Sequence, residues 1–173
     1  MVPLADGFDE IEALTVVDVL RRAGIAVDTV GVVGSVITSL HEIKVTADKR
    51  LSEANADDYD GIVLPGGAGY LTLARTGQIT NILKKLNSQG KLIAAICAAP
   101  YVLAKAGVLE GKRATIYPGM EKELPYPRDE RVVVDNNIIT SQGPGTSMEF
   151  ALKIVEVLIG EEKAFRLKKQ LVV

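Results

Sequence analysis

The sequence predicts an α/β fold, a mostly parallel sheet with helices on both faces, in one three-layer domain over residues 1–173. Three observations carry that expectation. Short apolar runs of buried-strand length recur at Val2–Ala5, Ile62–Leu64 and Leu92–Ile96. Each precedes a segment whose apolar residues fall at helical spacing, the alternation that builds parallel sheets. Glycines stand where the helical patterns stop, at Gly24, Gly90 and Gly160.

In chain order, the strand Val2–Ala5 turns at Asp6-Gly7-Phe8-Asp9 into a helix. Asp9, Glu10 and Glu12 lie in its first turn, where carboxylates suit the helix dipole. Leu14, Val17, Leu20 and Ala23 form its apolar stripe. Ile25–Val33 reads as a second strand, and Val36–Asp48 as a hairpin in which Ile43 and Val45 alternate with Lys44 and Thr46. Asp57–Gly61 is a turn, and Ile62–Leu64 a third strand ending in Pro65-Gly66-Gly67. A helix spans about Thr76 to Gln89. The strand Leu92–Ile96 then breaks at Cys97, and Pro100 opens another helix, its missing N–H costing nothing in a first turn. Lys112–Ile116 reads as a strand and Tyr117-Pro118-Gly119 as a turn. Arg131–Val134 and Ile138–Ser141 flank Asp135-Asn136-Asn137 as a second hairpin. A helix follows from Thr146 to Ile159, and a short basic one carries Arg166, Lys168 and Lys169.

Composition narrows the function. The net charge of −2 leaves no basic footprint for nucleic acid and no case for a membrane surface. Aromatics total 5% and Trp is absent, which argues against stacking platforms for bases. One cysteine cannot close an intramolecular disulfide, and no signal-peptide layout or membrane-length apolar run is present, so a cytoplasmic location is expected. A single Cys and a single His cannot assemble a zinc site of usual composition, and no cofactor is expected. Gly66-Gly67-Ala68-Gly69 lacks both nucleotide-binding spacings.

Open parallel sheets place their ligands at the carboxyl ends of the strands. Leu4–Gly7, Leu64–Gly67 and Ile96–Ala98 should meet there. Cys97 is the candidate nucleophile, its thiol expected to be lowered by the following helix N-terminus. The amides of Gly67 and Ala98 would form an oxyanion hole. Glu12 is the candidate acid/base if its helix lies beside the cysteine turn. Each has a plainer reading: Cys97 as a core thiol, Glu12 as a dipole-complementing surface residue, the Pro-Gly-Gly turn as a strand exit. His41 lies in the hairpin rather than at a strand end, which argues against a catalytic base.

The blocks Leu4-Ala-Asp-Gly-Phe-Asp-Glu-Ile-Glu12, Val17 to Ile25, Val63-Leu-Pro-Gly-Gly67, Leu92-Ile-Ala-Ala-Ile-Cys-Ala-Ala-Pro100 and Thr140-Ser-Gln-Gly-Pro-Gly-Thr146 resemble the ThiJ/PfpI superfamily, DJ-one branch. The resemblance implies a flavodoxin-like sandwich, a homodimer and a cysteine on a strained nucleophile elbow. It implies a protonated glutamate at Glu12 bonded to Cys97, with the amides of Gly67 and Ala98 lining an oxyanion pocket. Gly66 and Tyr117 complete the candidate substrate-binding set.

Departures from the superfamily narrow the chemistry. PfpI-type proteases carry a His after the nucleophile, where this chain has Ala98, and class I amidotransferases need a late His that is missing here. Some DJ-one-like proteins place a His where this chain has Tyr117, a poor base at neutral pH. A triad hydrolase is therefore disfavoured, and the activity that the resemblance implies is a cofactor-independent glyoxalase or protein deglycase acting on α-oxoaldehydes or glycated side chains, with a role in oxidative or carbonyl stress. Alternatives are a redox sensor or holdase chaperone working through Cys97 oxidation, and, less favoured, a cysteine peptidase. A link of the superfamily to thiamine biosynthesis has no support in these residues.

Overall fold

The computed structural model describes residues 1–173. β1 (Val2–Leu4) leads into α1 (Glu10–Arg22), which Asp9 caps from an extended backbone, its Oδ1 accepting from Glu12 N at 3.1 Å. Gly24, at φ 84°, turns the chain out of that helix. β2 (Thr29–Gly31) is followed by a small antiparallel hairpin, β3 (Val36–Thr38) with β4 (Lys44–Thr46), and by the edge strand β5 (Lys49–Arg50). β6 (Gly61–Leu64), α2 (Tyr70–Arg75), α3 (Gly77–Ser88), β7 (Leu92–Ile96) and α4 (Pro100–Lys105) come next. β8 (Val132–Asp135) and β9 (Ile138–Ser141) form the second hairpin, and α5 (Ser147–Ile159) and α6 (Glu161–Leu171) end the chain.

β1, β2 and β5 pair in parallel, as do β6, β7 and β9, while β8 runs antiparallel to β9. The two ladders meet at Met1. Its ammonium donates to Gly61 O at 2.9 Å, and Val63 N donates to Met1 O at 3.0 Å, the slanted pattern of a parallel pair. The resulting order is β5-β2-β1-β6-β7-β9-β8.

The period-2 alternation along the strands feeds two cores. Ile93 and Ala95 of β7 point to one face with Ile62, Leu64 and Ile138, under α2, α3 and α4 through Leu73, Leu83, Leu86 and Leu103. Leu92, Ala94 and Ile96 point to the other, with Val63 and Ile139, under α1, α5 and α6 through Val16, Leu20, Phe150, Ile154 and Leu167. This is the flavodoxin-like sandwich that the resemblance implies.

Three local expectations change. Lys112–Ile116 is not a strand. The outer edge of β9 is already taken by β8, so the segment is tied instead by Thr115 N to Thr140 Oγ1 at 2.9 Å and by an isolated bridge from Ala114 to Pro127. β2 pairs only over Thr29–Gly31, because β1 offers three residues to pair with. The glycine run before Tyr70 hides α2, a single short helix whose Leu73 and Ala74 are buried.

Phe150 is fully buried where α5 packs over the sheet. Phe150→Ala is expected to lower stability by about 3–5 kcal/mol in urea unfolding, the cost of a large unfilled core site.

Candidate active site

Cys97 follows β7 directly and has φ 62°, a left-handed conformation that costs a non-glycine residue roughly 1–2 kcal/mol. Its backbone is held on both sides. Cys97 N donates to Ser141 O at 3.0 Å, extending the β7–β9 ladder by one rung, and Cys97 O accepts from Tyr117 N at 2.8 Å. Pro100 opens α4 at its first helical position three residues later. The chain therefore turns sharply from strand to helix at the one cysteine, whose residue is partly exposed.

Glu12, one turn into α1, is 0% exposed. A carboxyl group in that setting needs a partner, and Gly66 N donates to Oε2 at 2.7 Å. The packing leaves no room for a side chain at position 66. A Cβ there would lie 2.7 Å from Cys97 Cβ, 2.8 Å from Glu12 Oε2 and 3.1 Å from Ala98 N. Gly67, at φ 74°, is equally confined, since a Cβ would sit 2.5 Å from both Asp9 N and Gly7 O. Asp9 N in turn donates to Gly66 O at 3.1 Å, and Phe8 bridges to Gly67. The three strand exits expected to meet, those after β1, β6 and β7, do meet in this knot.

Burial pushes the Glu12 carboxyl up to about 7, with the Asp9 charge adding to the rise, while bonding to Cys97 and the Gly66 N–H oppose it. The Cys97 thiol is pushed up to about 12, first by burial and then by the Glu12 charge and hydrogen bond. The backbone N–H groups of Gly67 and Ala98 pull it back down. The lowering expected from its own helix is thus outweighed while Glu12 is ionised. α4 has six residues, and beside an ionised Glu12 its small field is outweighed by desolvation and like charge.

Between those two values the pair carries a single proton, which either the carboxyl or the thiol can hold. With Oε2 tied to a backbone N–H, the carboxyl proton belongs on Oε1, the buried oxygen with no other partner. Moving the proton there removes the charge that opposes the thiolate and leaves the two backbone donors facing the sulfur.

Tyr117 borders the site through its backbone, its ring carbons lying where a side chain on Gly143 would touch them at 3.4 and 3.6 Å. His41 is not brought to the cysteine; its Nδ1 pairs with Glu10 Oε1 at 2.8 Å, on a side chain 69% exposed. Two residues of the knot escape the sequence reading. Asp9 carried a signal, an acidic cap three residues before Glu12, in the spacing of a capping box. Ser141, whose carbonyl fixes the elbow, carried none, since any residue supplies a carbonyl. A cavity of about 580 Å³ between α5 and α6 and one of about 230 Å³ at the amino edge of the sheet include none of the site residues. No helix is long and apolar enough to cross a membrane.

Known proteins of similar sequence match nearly the whole chain. Protein dj-1beta of Drosophila melanogaster is 44% identical, over 100% of this chain and 96% of its own length. A Caenorhabditis elegans protein named glutathione-independent glyoxalase DJR-1.2 is 38% identical over 94% of the chain and 89% of its own. The solved structure of oxidized Toxoplasma gondii DJ-1 superposes with a TM-score of 0.96 at 40% identity, covering 99% of this chain and 96% of that one. The DJ-1/PfpI family model matches residues 1–157, and the chain belongs to that family.

Proposed function

We propose that the protein is a cysteine-dependent, cofactor-independent glyoxalase, with protein deglycation as the same chemistry on an adducted side chain. One observation carries the reading: a fully buried carboxyl, pushed up to about 7 and locked to the Gly66 N–H, stands against the cysteine of a strained elbow. The nematode relative named as a glutathione-independent glyoxalase supports it.

The Cys97 thiolate adds to the aldehyde carbon of methylglyoxal, forming a C–S bond. The oxygen that gains charge meets the Gly67 and Ala98 N–H groups and takes the proton from Glu12, giving a hemithioacetal. Glu12, now a carboxylate, removes the hydrogen from that carbon and returns it to the neighbouring one, while the hemithioacetal hydroxyl gives up its proton to the ketone oxygen, so that the first becomes the thioester carbonyl and the second an alcohol. The product is a thioester of lactic acid. Water then adds to the thioester carbonyl and breaks the C–S bond, releasing lactate and one proton to solvent and restoring the Cys97–Glu12 pair with its own proton. No electron acceptor is consumed, because the aldehyde is oxidised as the ketone is reduced.

A second reading, a redox sensor or holdase acting through Cys97, draws support from the oxidized state named for the Toxoplasma relative. The backbone donors that would hold an oxyanion would equally hold a sulfinate. Mild peroxide adding two oxygens to Cys97, in a protein without aldehyde turnover, would favour it.

We further propose a cytoplasmic homodimer. Ile11 at the start of α1, Val36 on β3, and Leu40 and Ile43 between β3 and β4 are all exposed and apolar. Light scattering should give twice the chain mass, and Leu40→Asp with Ile43→Asp should give a monomer.

Three outcomes test the chemistry. Cys97→Ala should abolish methylglyoxal turnover while His41→Ala keeps it; an active Cys97→Ala protein would sink the mechanism. Gly66→Ala should lower turnover about a hundredfold, since the new Cβ displaces the sulfur or the carboxyl from its working position. The third is a stability difference. Because the Glu12 carboxyl is raised from 4.5 to about 7 by folding, the folded state binds more protons than the unfolded state between those values. Its contribution is full below 4.5 and lost as pH rises through 7, by about 3 kcal/mol. Denaturation at a series of pH values should show that loss in the wild type relative to Glu12→Gln.

A further inference from the structure

Asp9 is set against the site more tightly than a helix cap requires. Its carboxylate accepts from Glu12 N at 3.1 Å, its N–H donates to Gly66 O at 3.1 Å, and its backbone lies against Gly67. It is only 9% exposed, so its charge acts through protein rather than through water. The same residue thus contacts the backbone that carries Glu12 and the two glycines that separate Glu12 from Cys97.

We propose that Asp9 is a positioning residue for the shared proton: its carboxylate, fixed beside Glu12 at the start of α1, keeps the proton on Glu12 and so leaves Cys97 as the thiolate. A negative charge beside one member of a proton-sharing pair disfavours ionisation of that member, and the proton settles there. The groups facing Glu12 are few: the Cys97 thiol and the Gly66 N–H across the interface, and Asp9 on its own helix. Glu10 is engaged by His41 of the hairpin, and Asp6 accepts from Thr38 N at 2.8 Å. The inference rests on the proton-sharing reading of the Cys97–Glu12 pair, and not on which aldehyde is turned over.

Asp9→Asn isolates the charge, because the amide oxygen can still accept from Glu12 N. The rate of Cys97 alkylation by iodoacetamide, an uncharged reagent, is followed from pH 5 to 10 in the wild type, Asp9→Asn, Glu12→Gln and the double variant. The neutral-pH rate of Asp9→Asn is expected to fall about three- to tenfold, the size of half to one unit of bias. Its rise with pH is expected to start lower, because removing a negative charge makes the pair more acidic. With Glu12→Gln in place, Asp9→Asn should add little, since its effect passes through the carboxyl. Asp9→Ala, which loses the cap as well, should melt earlier than Asp9→Asn. An Asp9→Asn profile superimposed on the wild type, in a protein where Glu12→Gln does change the rate, overturns the role of Asp9 alone. A Glu12→Gln profile that also matches the wild type overturns the shared proton and the inference with it.

Discussion

A single hydrogen bond inside the protein, from Gly66 N to Glu12 Oε2, fixes the geometry on which the site depends. It ties α1 to the exit of β6 and brings the carboxyl against the elbow after β7. Left unpaired there, a carboxyl would have to be moved toward water, and α1 would shift with it. Paired to the backbone through one oxygen only, it keeps the other buried on the side of Cys97, an arrangement that suits a neutral acid better than a carboxylate. Glycine at 66 is what makes this contact possible, since any larger residue would stand between the carboxyl and the sulfur.

The sheet serves the same end. Residues of β7 alternate between two cores, so both faces are filled and only the strand ends are left for chemistry. Ser141 at the end of β9 supplies the carbonyl that holds Cys97 N, so the hairpin of β8 and β9 sets the elbow as much as β7 does. The loop that follows α4 returns to the same place, where Tyr117 N takes the Cys97 carbonyl. The strained residue is clamped by its own N–H and C=O, leaving its side chain free.

Much of this was legible in the sequence because it is local. The apolar run Leu92–Ile96, the proline at position 100 and the glycines after the helices are each readable from a few neighbouring residues. Cys97, Gly66 and Gly67 stood out for the same reason, as special residues at strand exits, and Glu12 as a carboxylate in the first turn of α1. What could not be read was set by competition between distant segments. Lys112–Ile116 has a strand-like pattern, but β8 occupies the edge it would need. The thiol's surroundings depend on how deeply the elbow is buried and on the charge of a helix far away in sequence, so the short α4 alone pointed the wrong way. Ser141 acts through an atom that every residue has.

The left-handed backbone at Cys97 sets stability and chemistry against each other at one position. Glycine would sit there with less strain, and the fold would gain from the exchange while losing its sulfur. Selection for robustness alone would therefore favour glycine at this position, whereas the proposed chemistry requires the thiol. A lineage that did without the proposed reaction would have an easy route to a sturdier, silent protein with the same outline.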